Sequence, residues 1–218
     1  MFEFLFGWTV EVQRWGWNLI TFSCLATICV TILQGSMTLQ QGLKILRMRH
    51  AQSVSVAFFG FRLWTFASIF IYAFYAKSLA LLVNGFVQTL VQAYVMAQLI
   101  RFKRDASRFD WSITVWSVGL VPLTFLTNGH PSFIAAIAVI SLFPIVLQNK
   151  ELLLTRRTGS LSGPLILALN ASSFFWTVYG FVVRDLAIML FAPVASLLYA
   201  LLGIQFLLYR NNERTDST

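Results

Sequence analysis

The sequence predicts an all-α membrane protein: seven transmembrane helices, arranged as two parallel three-helix bundles joined by a linker helix (3+1+3). Of its 218 residues, 58% are hydrophobic and 11% are charged, whereas soluble domains carry roughly 25% charged residues. The apolar residues fall in blocks long enough to cross a bilayer, with basic clusters between the blocks. The net charge of +8 therefore indicates membrane topology, and we expect no nucleic-acid partner.

Seven blocks of membrane-spanning length follow one another along the chain. They cover residues 17–39, 56–76, 79–100, 111–128, 133–153, 164–183 and 186–208. The loops near Lys77 and near Arg184 are very short. Short loops predict that helices two and three, and helices six and seven, are tightly packed antiparallel neighbours.

The distribution of lysine and arginine predicts the orientation. Of the 16 basic residues, three lie on the N-terminal side of the bilayer, 12 lie on the other side, and Arg62 lies inside helix two. Basic loops stay cytoplasmic. We therefore expect an integral, multi-pass protein of the plasma membrane or an endomembrane, with its N-terminus outside and its C-terminus cytoplasmic. We expect Arg62 to snorkel to the nearby basic side.

An internal repeat explains the odd number of helices. Shifting the chain by 107 residues aligns 41–103 with 148–210, and the shift pairs Gln41 with Gln148 and Tyr72 with Tyr179. Two three-helix units share one orientation only when a single helix intervenes. The predicted units are 14–104 for the first repeat, 105–130 for linker helix four, 131–210 for the second repeat and 211–218 for a polar C-terminal tail.

Polar and aromatic side chains inside the helices mark a candidate site. Asn84, Gln88 and Gln92 recur every four residues and therefore share one face of helix three. Such a stripe either joins helices through hydrogen bonds or lines a wet cavity. Trp176, near the middle of helix six, either fills space or offers a flat apolar face to a sugar ring, whose hydroxyls the amides would bind.

Several motifs give the chain a resemblance to a known family. They are Val83-Asn84-Gly85 in helix three, Trp176-Thr177-Val178-Tyr179-Gly180 followed by Arg184-Asp185, and the loops Gln41…Ser53-Val54-Ser55 and Gln148…Ser160-Leu161-Ser162. With these motifs the chain resembles the SWEET sugar transporters of the PQ-loop superfamily over nearly its whole length.

The resemblance implies a facilitative transporter, a uniporter that moves mono- or disaccharides by alternating access. Asn84 and Trp176 would bind the sugar. Tyr72 and Asp185 would form the extracellular gate, together with Tyr179, the repeat equivalent of Tyr72. The resemblance also places Pro144 and Pro164 among the hinge prolines.

The sequence departs from the family pattern at two kinds of position. The loops read Gln40-Gln41 and Leu147-Gln148 where a proline–glutamine pair is expected. The repeat partner of Asn84 is Phe191, so one amide of an expected pair is missing. We expect Gln88 and Asn170 to complete the substrate site instead.

Two other functions stay open: an amino-acid carrier of the PQ-loop type, and a receptor or accessory protein of the same fold that binds without transporting. The carrier would be favoured by a charged residue in the pocket, and Arg62 is the candidate. His50 and His130 lie in loops, and no catalytic or metal-ligating set emerges. We therefore expect neither an enzyme nor a cofactor, and a homo-oligomer is compatible but not required.

Overall fold

The computed structural model describes residues 7–215, and it describes side chains as far as Asn211. Seven stretches of its helices are long and apolar enough to cross a membrane, which confirms the predicted all-α, seven-helix fold. We number them as spans 1 to 7: Leu19–Met48, Val56–Ala76, Leu79–Phe102, Arg108–Leu126, Pro131–Thr155, Gly163–Val183 and Leu186–Asn211. A short helix, Val10–Gln13, precedes span 1.

Two helices are longer than the apolar pattern predicts. Span 1 continues to Met48, nine residues past its predicted end, because the helix persists through a polar segment that contains Gln41 and Lys44. The last helix continues to Thr215 and therefore takes in part of the predicted polar tail. Residues 216–218 of that tail lie outside the described residues. Hydropathy marks where a helix can enter lipid, whereas backbone hydrogen bonding decides where it ends.

Two spans consist of two helices each. Span 4 is divided into Arg108–Ser117 and Leu120–Leu126, and span 5 into Pro131–Ile140 and Leu142–Thr155. The break in span 5 lies just before Pro144, the predicted hinge. A proline lacks the N–H that would bond the carbonyl four residues earlier, here that of Ile140. Pro164 lies in the first turn of span 6, where proline leaves a helix unbroken.

The helices pack in the same order in the two halves of the chain. Span 3 contacts both spans 1 and 2, and span 7 contacts both spans 5 and 6. Span 4 packs against span 2, and spans 1 and 6 contact each other across the two halves. Spans 2 and 3 approach each other closely at Gly85, where a Cβ would lie 2.5 Å from the backbone of Phe70. The division into 3+1+3 units remains a prediction.

Two glutamines link the halves at the end of the helices that carries the basic clusters, which we call the basic side. Gln41 donates to the Ser160 carbonyl at 2.9 Å and accepts from the Ser162 N–H at 2.8 Å. Gln148 donates to the Ser53 carbonyl at 3.0 Å and accepts from the Ser55 N–H at 2.9 Å. The 107-residue offset relates every member of one set to the other set. The repeat found in the sequence is therefore also a symmetry of the hydrogen bonds.

Candidate substrate site

A cavity of about 110 Å³ lies between the two halves of the chain. It has room for roughly 7 to 11 water-sized spheres, at about 10–15 Å³ each. Its wall is mostly apolar, and its polar members come from spans 1, 2, 3, 5, 6 and 7: Gln34, Arg62, Thr65, Ser68, Tyr72, Asn84, Ser141, Ser172, Ser173, Trp176 and Tyr199. An apolar cavity with a few convergent polar groups is the usual form of a small-molecule site.

Asn84 and Trp176, the two central residues of the predicted sugar site, both line this cavity. Asn84 accepts a 3.4 Å hydrogen bond from the Thr31 hydroxyl through Oδ1, which leaves its NH₂ group available as a donor. The Trp176 ring is held edge-on against Tyr179, with ring centroids 5.5 Å apart. The cavity thus combines an amide from span 3 with an indole from span 6.

Three hydroxyl groups in the wall add further hydrogen-bonding capacity. The side chains of Thr65, Ser68 and Ser172 are buried, and their oxygens have no hydrogen-bond partner among the described residues. A buried hydroxyl without a partner is costly. Because all three line the cavity, a polar solute there would satisfy them. Thr65 and Ser68 share a helix face with Tyr72, and the 107-residue offset pairs Thr65 with Ser172, but we did not expect these hydroxyls in the site.

Gln88 and Asn170, which we expected beside the substrate, do not line the cavity in this structure. The Gln88 amide donates to the Thr31 carbonyl at 3.1 Å, and the Asn170 amide donates to the Ser196 carbonyl at 3.1 Å. Both amides therefore join neighbouring helices. The amide stripe on span 3 therefore does both things that the sequence allowed: Asn84 lines the cavity, and Gln88 joins helices through a hydrogen bond. Phe191, the repeat partner of Asn84, also lines the cavity.

The expectation that Arg62 snorkels to the basic side is wrong. Its exposed fraction is 7%, and it lines the cavity. One terminal nitrogen donates to the Tyr199 hydroxyl on span 7, and the guanidinium lies 5.1 Å from the ring centroid of Phe58 and 4.8 Å from that of Phe66. Cation–π contact and this hydroxyl hold the side chain inside the protein. Inserting an arginine at the centre of a membrane helix costs roughly 2.5–3.5 kcal/mol.

Tyr72 and Asp185, the predicted gate pair, are in contact at the side opposite the basic clusters. The Tyr72 hydroxyl donates to Asp185 Oδ2 at 3.0 Å, and Asp185 Oδ1 accepts from the Ile188 N–H at 3.1 Å. A matching set exists in the other half. The hydroxyl oxygens of Tyr179 and Ser78 lie 2.8 Å apart, and Ser78 accepts from the Leu81 N–H at 3.2 Å.

Glu11 completes the second of these sets, although no sequence pattern predicted its role. Its carboxylate is fully buried and accepts from the Ser78 hydroxyl at 2.7 Å, from the Leu79 N–H at 3.0 Å and from the Tyr179 hydroxyl. In the first set the carboxylate belongs to Asp185. Its repeat equivalent in the second set, Ser78, has no carboxylate, and Glu11 provides one from outside the repeat. The only signal was an acidic residue in an otherwise apolar segment.

Comparison with known proteins agrees with the resemblance found in the motifs. The sequence model of the sugar efflux transporters for intercellular exchange matches residues 132–214. This match corresponds to the predicted second repeat and confirms the resemblance to the SWEET family there. No curated protein matches the chain. The seven apolar helices and the family match indicate an integral, multi-pass membrane protein related to sugar transporters, a family that is not a class of enzymes.

Proposed function

We propose that the chain is a facilitative transporter, a uniporter that carries sugars by alternating access through the central cavity. The observation that carries the proposal is the pairing of Asn84 and Trp176 across that cavity. An indole face packs well against the C–H-rich face of a sugar ring, and the amide and free hydroxyls bind its hydroxyl groups. The two halves of the 3+1+3 arrangement would rock about this site.

Contacts at both ends of the cavity support a gating role for the residues identified in the sequence. Tyr72, Tyr179 and Asp185 would form the extracellular gate, with the N-terminus outside. The Gln41 and Gln148 links would close the cytoplasmic side. Pro144, beside the break in span 5, would let that span bend when one gate opens and the other closes. The cavity volume of about 110 Å³ favours a monosaccharide over a disaccharide.

An amino-acid carrier is the second candidate, and Arg62 is the observation that favours it. A guanidinium in the wall would pair with the carboxylate of an amino acid. The ammonium group of such a substrate would also need an acidic partner, and no Asp or Glu is among the described residues that line the cavity. We therefore rank sugar transport first.

Uptake of labelled sugars into proteoliposomes tests the proposal. Trp176→Ala and Asn84→Ala should each lower uptake about tenfold, the loss expected when roughly 1.4 kcal/mol of binding is removed. Trp116→Ala, at a tryptophan 83% exposed on span 4, is the matched control for the indole. Asn170→Ala is the matched control for the amide, because Asn170 lies outside the cavity wall.

Two outcomes would count against sugar transport. Full uptake by both cavity variants would show that Asn84 and Trp176 do not form the substrate site. Sugar binding without flux in the wild-type protein would instead favour the receptor hypothesis.

A further inference from the structure

Arg62 gives the central cavity a positive charge that nothing in its wall balances. It is the one charged side chain among the described residues that line the cavity. Its repeat equivalent, Leu169, lies in the same wall and is apolar. The ion pairs between described residues both involve Lys103, far from the cavity on the basic side. Arg62 therefore has no carboxylate partner in the part of the chain that the structure describes.

The hydrogen bonding of Arg62 is also incomplete. A guanidinium offers five N–H donors, and one of them is donated to the Tyr199 hydroxyl. The Nε–H is buried and has no acceptor among the described residues. The Phe58 and Phe66 rings attract the guanidinium through cation–π contacts but accept no conventional hydrogen bonds from it. A buried arginine in this state calls for an anion, and the planar fork of donors matches a carboxylate.

We propose that the cargo is a sugar acid, a hexose-sized ring that carries one carboxylate. This inference rests on the proposed function, because it assigns the ring to Trp176 and Asn84 and the carboxylate to Arg62. Arg62, Asn84 and Trp176 line one cavity of about 110 Å³, so a single solute in that cavity would face all three side chains.

Sugar acids fit the cavity better than amino acids do. Both carry a carboxylate for Arg62, but an amino acid also brings an ammonium group. The described cavity wall offers no Asp or Glu to pair with that group. A sugar acid brings hydroxyl groups instead, and the unpartnered hydroxyls of Thr65, Ser68 and Ser172 are suited to bind them.

Glucose and glucuronate form a matched pair of probes, since they differ only in a CH₂OH group against a carboxylate. We would measure their binding to the purified protein in detergent by calorimetry, and their uptake into proteoliposomes. Wild-type protein should bind glucuronate roughly 10- to 100-fold more tightly than glucose, the range expected for a hydrogen-bonded charged group. Leucine serves as the amino-acid arm.

Three variants separate charge recognition from a structural role of the Arg62–Tyr199 contact. Arg62→Gln removes the charge and should abolish the preference for glucuronate while glucose binding persists. Arg62→Lys keeps the charge and should retain part of the preference, and it guards against a folding defect in Arg62→Gln. Tyr199→Phe removes the hydroxyl that positions Arg62 and should lower the preference less than Arg62→Gln does, because the charge stays in the cavity wall.

The outcomes distinguish this inference from the proposed function. Equal or weaker binding of glucuronate than of glucose by wild-type protein would overturn the inference, whatever the flux. Tighter binding of leucine than of glucuronate, or a preference that Arg62→Gln leaves unchanged, would overturn it as well. A glucuronate preference that depends on Arg62, without flux of any sugar, would support the inference and reject the transport function.

Discussion

Replacement of Glu11 by glutamine tests the role of the buried carboxylate at the gate end. The carboxylate accepts hydrogen bonds through both oxygens, from Ser78 and Tyr179 at Oε1 and from the Leu79 N–H at Oε2. A glutamine keeps one acceptor oxygen, but an NH₂ group takes the place of the other. That NH₂ group would face a donor, so a hydrogen bond would be lost. The loss of one charge-assisted bond costs about 1.5–3 kcal/mol. Loss of the negative charge at the N-terminus of span 3 adds about 0.3–1 kcal/mol.

We therefore expect Glu11→Gln to lower the free energy of unfolding by about 2–4 kcal/mol. For a chain of this size the melting temperature should fall by roughly 4–16 °C, at about 2–4 °C per kcal/mol. Tryptophan fluorescence during heating of the purified protein in detergent measures the shift. Tyr179→Phe removes one donor to the same carboxylate, and the double variant should show a coupling energy of about 1 kcal/mol or more.

Glu151→Gln is the matched control. Glu151 accepts a 2.9 Å bond from Lys103 on the basic side, and its side chain is partly exposed. Because Lys103 keeps its ion pair with Asp105 at 3.3 Å and Glu151 is partly exposed, this variant should melt close to wild type. Equal shifts for Glu11→Gln and Glu151→Gln, or additive effects of Glu11→Gln and Tyr179→Phe, would refute the role assigned to Glu11.

Three further predictions concern the helix contacts and the break in span 5. Gly85→Ala should cost about 1–3 kcal/mol, because its Cβ would lie 2.5 Å from the backbone of span 2. Gly203→Ala makes an ordinary 3.6 Å contact and should melt like wild type. Equal melting temperatures of the two variants would contradict this packing. Gln41→Leu and Gln148→Leu should each lower the free energy of unfolding by about 2–4 kcal/mol and raise hydrogen exchange in the partner loop. Effects in only one of the two variants would contradict the symmetry of the links. Pro144→Ala restores an N–H to span 5 and should slow sugar flux several-fold, with an equal or higher melting temperature. Unchanged flux would show that Pro144 is not a hinge.

The sequence predicted the helices well because each depends on a local signal. Membrane-spanning blocks follow from hydropathy, and the short turns at Lys77 and Arg184 follow from loop length. The repeat offset predicted pairs of equivalent residues such as Gln41 and Gln148. Those pairs then make equivalent hydrogen bonds, because two copies of one folding unit present the same groups to each other.

The sequence predicted the site less completely because a cavity wall is assembled from distant helices. Asn84 was found through the amide stripe of helix three and Trp176 through its position in the middle of helix six, and both line the cavity. Gln88 lies on the same helix face as Asn84 but about one helical turn further along the membrane normal. At that depth it lies between helices and not in the cavity wall. Thr65 and Ser68 lie at helical spacing with Tyr72, but single hydroxyls in a membrane helix usually bond to its own backbone and so do not mark a site. Glu11 depends on a contact with span 3 that lies 67 residues further along the chain.

Counterflow in proteoliposomes distinguishes alternating access from binding without transport. Vesicles are loaded with unlabelled sugar, no ion gradient is imposed, and a trace of the same labelled sugar is added outside. If the cavity faces each side in turn, the labelled sugar should accumulate transiently above its equilibrium level, and Trp176→Ala should abolish the overshoot while Trp116→Ala preserves it. A wild-type protein that binds the sugar but gives no overshoot would contradict the account.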